Sequence, residues 1–194
     1  MMLALPRGAH ISDFANGCRA AVLDFVNRVA VRHDKAVLAD WLNGAYRPLV
    51  VAVASMRARR IHPAGIQPTT LAALLTQSRL EVLASLQLAK DPVEGVTFGY
   101  SALASGHLYR ARDVDGVEGW VPVAQPRMRL TERVLSLVAA DYLLRSDEYE
   151  STLFECARCE HWVFDEERVE GRVCASHASD VRELVPVSRR ALAG

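Results

Sequence analysis

"GHLYRARDVDGVEGWVPV", residues 106–123, decides whether this chain is all-helical or mixed. Asp115-Gly116 stands between two runs rich in aromatic and β-branched residues, within a stretch from Gly95 to Val123 where glycines and aromatics are frequent. An Asp-Gly pair in that setting is a strong hairpin signal, because both residues accept the positive φ of a tight turn. A strict two-residue turn sets Asp113 opposite Glu118, a repulsive pair, which a longer loop or an external cation relieves. The string Asp113-x-Asp115-Gly116 also touches the start of a calcium-loop pattern. The further oxygen ligands and the distal glutamate are missing, so calcium is not expected.

Around this hairpin the chain reads as helix. From Ser12 or Asp13 to about Val31, apolar Phe14, Cys18, Ala21, Val22, Phe25, Val26 and Val29 recur at three and four, with Ser12 or Asp13 as N-cap. Cys18 lies on that stripe and reads as a buried structural thiol. A second helix is expected over Ala36–Leu42, ended by Asn43-Gly44, and a third from Pro48 through Arg60, ended by Pro63 and Gly65. The basic end of that third helix, Arg57, Arg59 and Arg60, suits the helix dipole and is also a candidate anion or nucleic-acid patch. The next helix has Thr69 or Thr70 as cap, a buried face of Leu71, Leu74, Leu75, Val82 and Leu86, and Asp91-Pro92 as its end. Downstream of the hairpin, "TERVLSLVAADYLLRSD" at 131–147 is apolar on nearly all sides, the mark of a central buried helix. The expected class is therefore α+β: a mainly helical body over 1–150 with a hairpin near 106–123, a small unit over 151–187 packed on it, and a flexible tail at 188–194.

That small unit contains three of the four cysteines. "FECARCEHWVFDEERVEGRVCASH", residues 154–177, reads C-x2-C, fourteen residues, C-x2-H. Zinc takes four tetrahedral ligands from thiolate sulfur and imidazole nitrogen, and a two-residue spacer lets one tight turn aim both side chains at one ion. Cys156, Cys159, Cys174 and His177 supply two such pairs, and His161 is a rival for the fourth position. The spacer accommodates a hairpin, with Trp162, Val163 and Phe164 as one strand and Val169 to Val173 as the return. A disulfide framework would leave one of the three cysteines unpaired. A redox Cys-x-x-Cys opens a helix after a strand, whereas "CARCEHW" leads into a strand.

With its knuckle, hairpin and second ligand pair, the segment resembles zinc-ribbon and treble-clef modules over roughly the last forty residues. The resemblance implies a structural Zn2+ and, in the treble-clef form, a helix starting at the second pair, here "CASHASDVRELV" from Cys174 to Val185. Those modules often carry glycine after the second ligand of each knuckle; Glu160 and Ala178 stand there instead.

A closed four-ligand site leaves no open position for a substrate. The chain also lacks H-E-x-x-H, G-x-S-x-G and the glycine-rich phosphate motifs, so an enzyme is not expected. Net charge is zero, with 23 basic and 23 acidic residues, yet residues 1–70 hold nine basic groups against four acids while 151–194 hold six against eight. Phosphate binding wants local positive charge. The acidic zinc unit therefore disfavours nucleic acid there and leaves the arginine-rich N-terminal third as the alternative surface. The expected role is a non-catalytic protein-interaction or regulatory adaptor whose partner is another protein; the alternative is a nucleic-acid-binding transcriptional regulator. Only Lys35 and Lys90 are lysines, which with abundant alanine and valine points to a GC-rich bacterial genome. The longest apolar stretch, Leu49–Ser55, is too short to span a bilayer, and the start lacks a signal-peptide pattern, so a cytoplasmic location without membrane contact is expected.

Overall fold

The computed structural model describes residues 3–5, 9–52, 68–125, 128–165 and 172–177. The chain divides into two compact units, Met1–Glu150 and Ser151–Gly194. The class is α+β.

In the first unit, strand β1 (Leu3–Ala4) precedes helix α1 (Ile11–Asp24), which passes through a π-turn at Phe25–Val29 into the short α2 (Ala30–Arg32). Neither Ser12 nor Asp13 caps α1. The N-cap is His10, whose side chain makes no cap bond, and the Ile11 N–H is taken by the Asp113 carboxylate at 3.0 Å. Helix α3 (Lys35–Asp40) is capped by Asp34 and does not stop at Asn43-Gly44. It continues as a π-turn, Trp41–Tyr46, followed by a 3-10 turn, Arg47–Leu49. The reason is packing. Trp41 is fully buried, stacks on Tyr46 at 5.7 Å, meets Phe25 at 5.1 Å and donates its indole N–H to the Ala21 carbonyl at 2.9 Å. Burying three such aromatics contributes roughly 1.5–3 kcal/mol each, more than a glycine in a helical turn costs.

The third expected helix is not formed where it can be seen. Val51–Ala52 is strand β2, as its β-branched surroundings favour, and residues 53–67, with Arg57, Arg59 and Arg60, lie outside the described residues. Helix α4 (Pro68–Lys90) buries Leu71, Leu75, Val82 and Leu86, and begins at Pro68 before either threonine. Asp91 does not merely end it. Its carboxylate accepts the N–H groups of Val93 and Glu94 and so starts α5 (Pro92–Ala104). The glycine-rich stretch after Gly95 is thus helical for its first ten residues, contrary to the β texture expected. Gly95 and Gly99 lie one turn apart on the buried face, and a Cβ on Gly95 would stand 2.5 Å from the Tyr142 hydroxyl.

The hairpin is β3 (Leu108–Arg112) and β4 (Glu118–Ala124), antiparallel, with Arg112 opposite Glu118. The turn is longer than two residues, so the expected clash of Asp113 with Glu118 does not arise. Glu118 instead pairs with Arg112 and Arg110. Asp113 turns back to accept the N–H groups of Asp115 at 3.0 Å and Val117 at 2.9 Å, and Gly116 takes φ +83°. Short parallel strands flank the hairpin, β1 on β3 and β2 on β4, giving a four-stranded mixed sheet of order β1-β3-β4-β2.

Helix α6 (Leu130–Thr152) is central, as its all-round apolar sequence predicts, with Val134, Leu137, Val138 and Ala139 fully buried. The same helix buries Asp141. Arg19 Nε at 2.9 Å, Arg145 Nε at 3.0 Å and the Tyr149 hydroxyl at 2.9 Å satisfy that carboxylate. Arg145 leaves helical geometry (φ −142°, ψ 45°) while its guanidinium also reaches Asn16 at 2.6 Å. Cys18 is buried, and burial followed by the nearby Asp141 charge pushes its thiol far above the ordinary value, which makes it inert.

In the second unit β5 (Leu153–Glu155) pairs antiparallel with β6 (Trp162–Phe164), Glu155 opposite Trp162. Of the expected return strand at Val169–Val173, only Arg172 and Val173 are described, and they are not in a strand. Trp162–Phe164 takes its partner from upstream of the first cysteine, and 166–171 lie outside the described residues. The 3-10 turn Ala175–His177 follows Cys174; the rest of the expected helix to Val185 and the tail at 188–194 also lie outside. Among the described residues no helix is long and apolar enough to cross a membrane.

Candidate metal centre

The β5–β6 pairing places Cys156 and Cys159 in the connection between the two strands. The Cys156 N–H donates to the His161 carbonyl at 2.8 Å and the Glu160 N–H to the Cys156 carbonyl at 2.8 Å, closing a tight loop around the first ligand pair. The loop closes because Glu160 adopts left-handed backbone, φ +58°. Glycine is at ease in that conformation and a Cβ is not. Glu160 therefore performs a turn that glycine would make without strain. Arg172 does the same before the second pair, with φ +53°, and its carbonyl accepts the Ala157 N–H at 3.0 Å. That bond ties the two ligand-bearing segments together. The His177 N–H then returns to the Cys174 carbonyl at 2.8 Å, folding the imidazole back over Cys174.

One donor atom from each of Cys156, Cys159, Cys174 and His177 lies within 4.8 Å of all the others. Cys159 Sγ stands 3.8 Å from Cys174 Sγ, and Cys156 Sγ stands 3.8 Å from His177 Nδ1. A tetrahedron with metal–sulfur bonds of about 2.3 Å has sulfur–sulfur edges of about 3.8 Å, against about 2.05 Å for a disulfide. Cys174 Sγ to His177 Nδ1 is the short edge, 3.1 Å. The donor set therefore fits one tetrahedral ion. His161, the rival ligand, is outside the cluster and exposed; it contributes its main chain, with the carbonyl on Cys156 N–H and the N–H on the Cys159 sulfur.

Electrostatics point the same way. Burial pushes the Cys156 thiol up, but N–H donors from Cys174 (3.3 Å from the sulfur), Arg158 and Cys159 outweigh it and bring the value down to about 5. Cys174 is also lowered, because the Ser176 hydroxyl at 3.0 Å and the His177 ring outweigh its burial. Cys159 moves the other way. The His161 N–H lowers it, but burial and the two neighbouring sulfurs raise it further. His177 is raised by Cys174 and then Cys156. Three thiols around one point cannot all ionise without a positive charge between them, and a divalent cation supplies it. Thiolate and imidazole donors select soft or borderline metals over calcium or magnesium. Among the described residues a second group, His10, Asp113 and Asp115, is already engaged: His10 Nδ1 meets Asp115 at 3.0 Å, and Asp113 caps Ile11.

No protein-family model matches this chain, and neither a curated protein nor a solved structure does. The site thus stands on its own geometry. Sequence spacing identified the four donors that the structure gathers. It missed Ser176, the main-chain N–H donors, and the left-handed Glu160 and Arg172, since nothing in those residue types signals positive φ or an N–H···S bond.

Proposed function

We propose that Ser151–Gly194 is a zinc-stapled interaction module of a non-catalytic, regulatory adaptor, and that the partner is another protein. The observation that carries this reading is the closed set of four protein donors around one point. A site with four protein ligands has a structural rather than catalytic form, because substrate polarisation and water activation both need an open coordination position. Among the described residues the exposed side chains beside it are mixed in sign, with Arg158 and Arg172 set against two glutamates. Glu155 and Glu160 are exposed, and three thiolates on one divalent ion leave a net charge of −1. A surface of mixed sign over a centre of net charge −1 offers phosphate no positive cluster and suits a polar protein face.

Two experiments test the reading. Elemental analysis of the native protein is expected to give near one zinc per chain, and Cys156→Ala to give almost none. Absence of zinc from native protein ends the proposal. Affinity capture with the full chain is expected to retain a stoichiometric protein partner that Cys156→Ala releases. Salt-sensitive binding of a mixed-sequence duplex or RNA, lost on substitution of Arg57, Arg59 and Arg60, would transfer the reading to nucleic-acid regulation.

A further inference from the structure

A cavity of about 270 Å³ on one side of α6 is walled by donors and acceptors alike, with His107 and Ser101 beside Glu132, and so selects no charge. The start of the same helix is selective. Arg133, in its first turns, is only 9% exposed. Long helical side chains lean toward the helix N-terminus, and the Arg133 guanidinium does so: Nη2 donates to the Gln125 carbonyl, ahead of the helix, at 3.3 Å. Its central carbon lies 5.6 Å from the ring centre of Tyr46, which is fully buried at the end of the Trp41–Tyr46 turn. Burial pushes the Tyr46 hydroxyl up, and the facing Arg133 charge works against it. Yet neither Tyr46 Oη nor Arg133 Nη1 has a hydrogen-bond partner among the described residues.

The charge also lacks a counter-ion. Arg19 and Arg145, less deeply buried, both pair with Asp141. Among the described residues no carboxylate pairs with Arg133, since Glu132, its chain neighbour, is engaged by Arg129. The parts of the first unit outside the described residues, 1–2, 6–8, 53–67 and 126–127, contain no aspartate or glutamate. The helix end is uncapped as well. Glu132 takes the Arg129 N–H at 2.8 Å, but the Arg129 side chain offers no acceptor in return, and the Thr131 hydroxyl turns to Ser78 at 3.0 Å. The N–H groups of Leu130, Thr131 and Glu132 thus have no partner among the described residues, although Leu130 and Thr131 are buried. A buried helix end with free N–H groups, beside a buried guanidinium without an anion, is a site that a ligand completes.

We propose that the start of α6 binds a phosphate group, held by the Arg133 guanidinium, the Tyr46 hydroxyl and the first-turn N–H groups. The guanidinium and the helix end together supply roughly +1.5, near the roughly −1.5 to −2 of a phosphate group and more than one carboxylate balances. Arginine forks and helix N-termini both suit phosphate oxygens. The site lies wholly within the first unit and is independent of the metal reading.

Melting of the full chain in phosphate-free buffer, with inorganic phosphate added at constant ionic strength, tests the proposal. A rise of about 3–6 °C at about 10 mM phosphate is expected, with little from acetate. Arg133→Gln is expected to abolish the rise, and Tyr46→Phe to weaken phosphate about three- to tenfold in a calorimetric titration. Glycerol phosphate separates the two sources of the group: binding at least as tight as that of inorganic phosphate assigns the site to a phosphate monoester, and weaker binding assigns it to the free ion. If Arg133→Gln fails to fold, Tyr46→Phe decides alone. No rise with phosphate up to about 50 mM, which is what a bridging water would give, would overturn the proposal. So would an equal rise with acetate, a rise retained in Arg133→Gln, or a phosphate affinity unmoved by Tyr46→Phe.

Discussion

The two units of this chain are held together by different physics. Met1–Glu150 has an apolar core drawn from α1, α4 and α6 and the aromatic stack of Phe25, Trp41 and Tyr46, with one satisfied ion network inside it. Ser151–Gly194 has a described core cluster of Cys156, Val173 and Cys174, flanked by Cys159 and Val163. Three of those five are candidate ligands. A unit of 44 residues, counted from 151 to 194, is near the size at which an apolar core alone fails and a metal or disulfide is needed. In the small unit three side chains of that cluster are both core and candidate ligands, with Leu153, Phe154 and Trp162 buried beside them, so the proposed ion is expected to carry a large share of its stability. In the large unit each role has its own residues.

The sharpest way to break that contrast is to disable the proposed metal centre. Chelation or Cys156→Ala is expected to unfold residues 153–177, since structural zinc contributes on the order of 10 kcal/mol or more of folding free energy. Hydrogen exchange should show protection lost there and retained in α1 and α6; persistent protection in β5 and β6 would show that the small unit has a core of its own. Next in size is Asp141→Ala. Removing a buried carboxylate that faces Arg19 and Arg145 is expected to cost about 3–5 kcal/mol in urea unfolding, with zinc content unchanged. An effect below about 1 kcal/mol would mean that the large unit does not depend on the network.

Gly95→Ala follows, at about 1–3 kcal/mol, because the new methyl would lie 2.5 Å from the Tyr142 hydroxyl and 3.1 Å from the Ala89 carbonyl. Tyr142→Phe removes the nearer of those atoms and should recover part of the loss. Glu160→Gly acts in the opposite direction. Relief of left-handed backbone at φ +58° is expected to stabilise the small unit by about 0.5–1 kcal/mol, seen as a several-fold rise in zinc affinity under competition with a chelator. The smallest effect is a pH dependence in the large unit. Asp113 lies below the ordinary carboxyl value of 3.8, chiefly through the Ile11 N–H, and Asp91 is lowered by the Glu94 and Val93 N–H groups. A carboxyl lowered in the folded state stabilises above its unfolded value and loses that contribution as pH falls through the folded value. Melting temperature should therefore begin to drop as pH goes below about 4, and Asp113→Asn should flatten that drop.

Much of the large unit was legible because its signals are local. The α1 stripe, the α4 face and the all-apolar α6 reflect helical periodicity that tertiary contacts reinforce. The hairpin was legible from Asp115-Gly116, though not its loop length, which depends on Asp113 finding the Ile11 N–H 102 residues away. Asn43-Gly44 misled for the same reason: the aromatic stack of Trp41 and Tyr46 continues the turn through a pair that alone would end it. Gly95 and Gly99 misled because a glycine that admits a neighbouring tyrosine and a glycine that breaks a helix look alike until the neighbour is known.

By itself the sequence determined the class, the central helix and the four candidate ligands, since residue type, periodicity and x2 spacing are properties of short segments. Only the tertiary structure decided that β6 pairs with β5, that Glu160 and Arg172 make the left-handed turns, that His161 contributes its main chain rather than its ring, and that a cavity lies beside α6. Each of those depends on which distant atoms meet, and the free energy that selects them comes from packing and hydrogen bonding across the chain rather than from any one stretch of it.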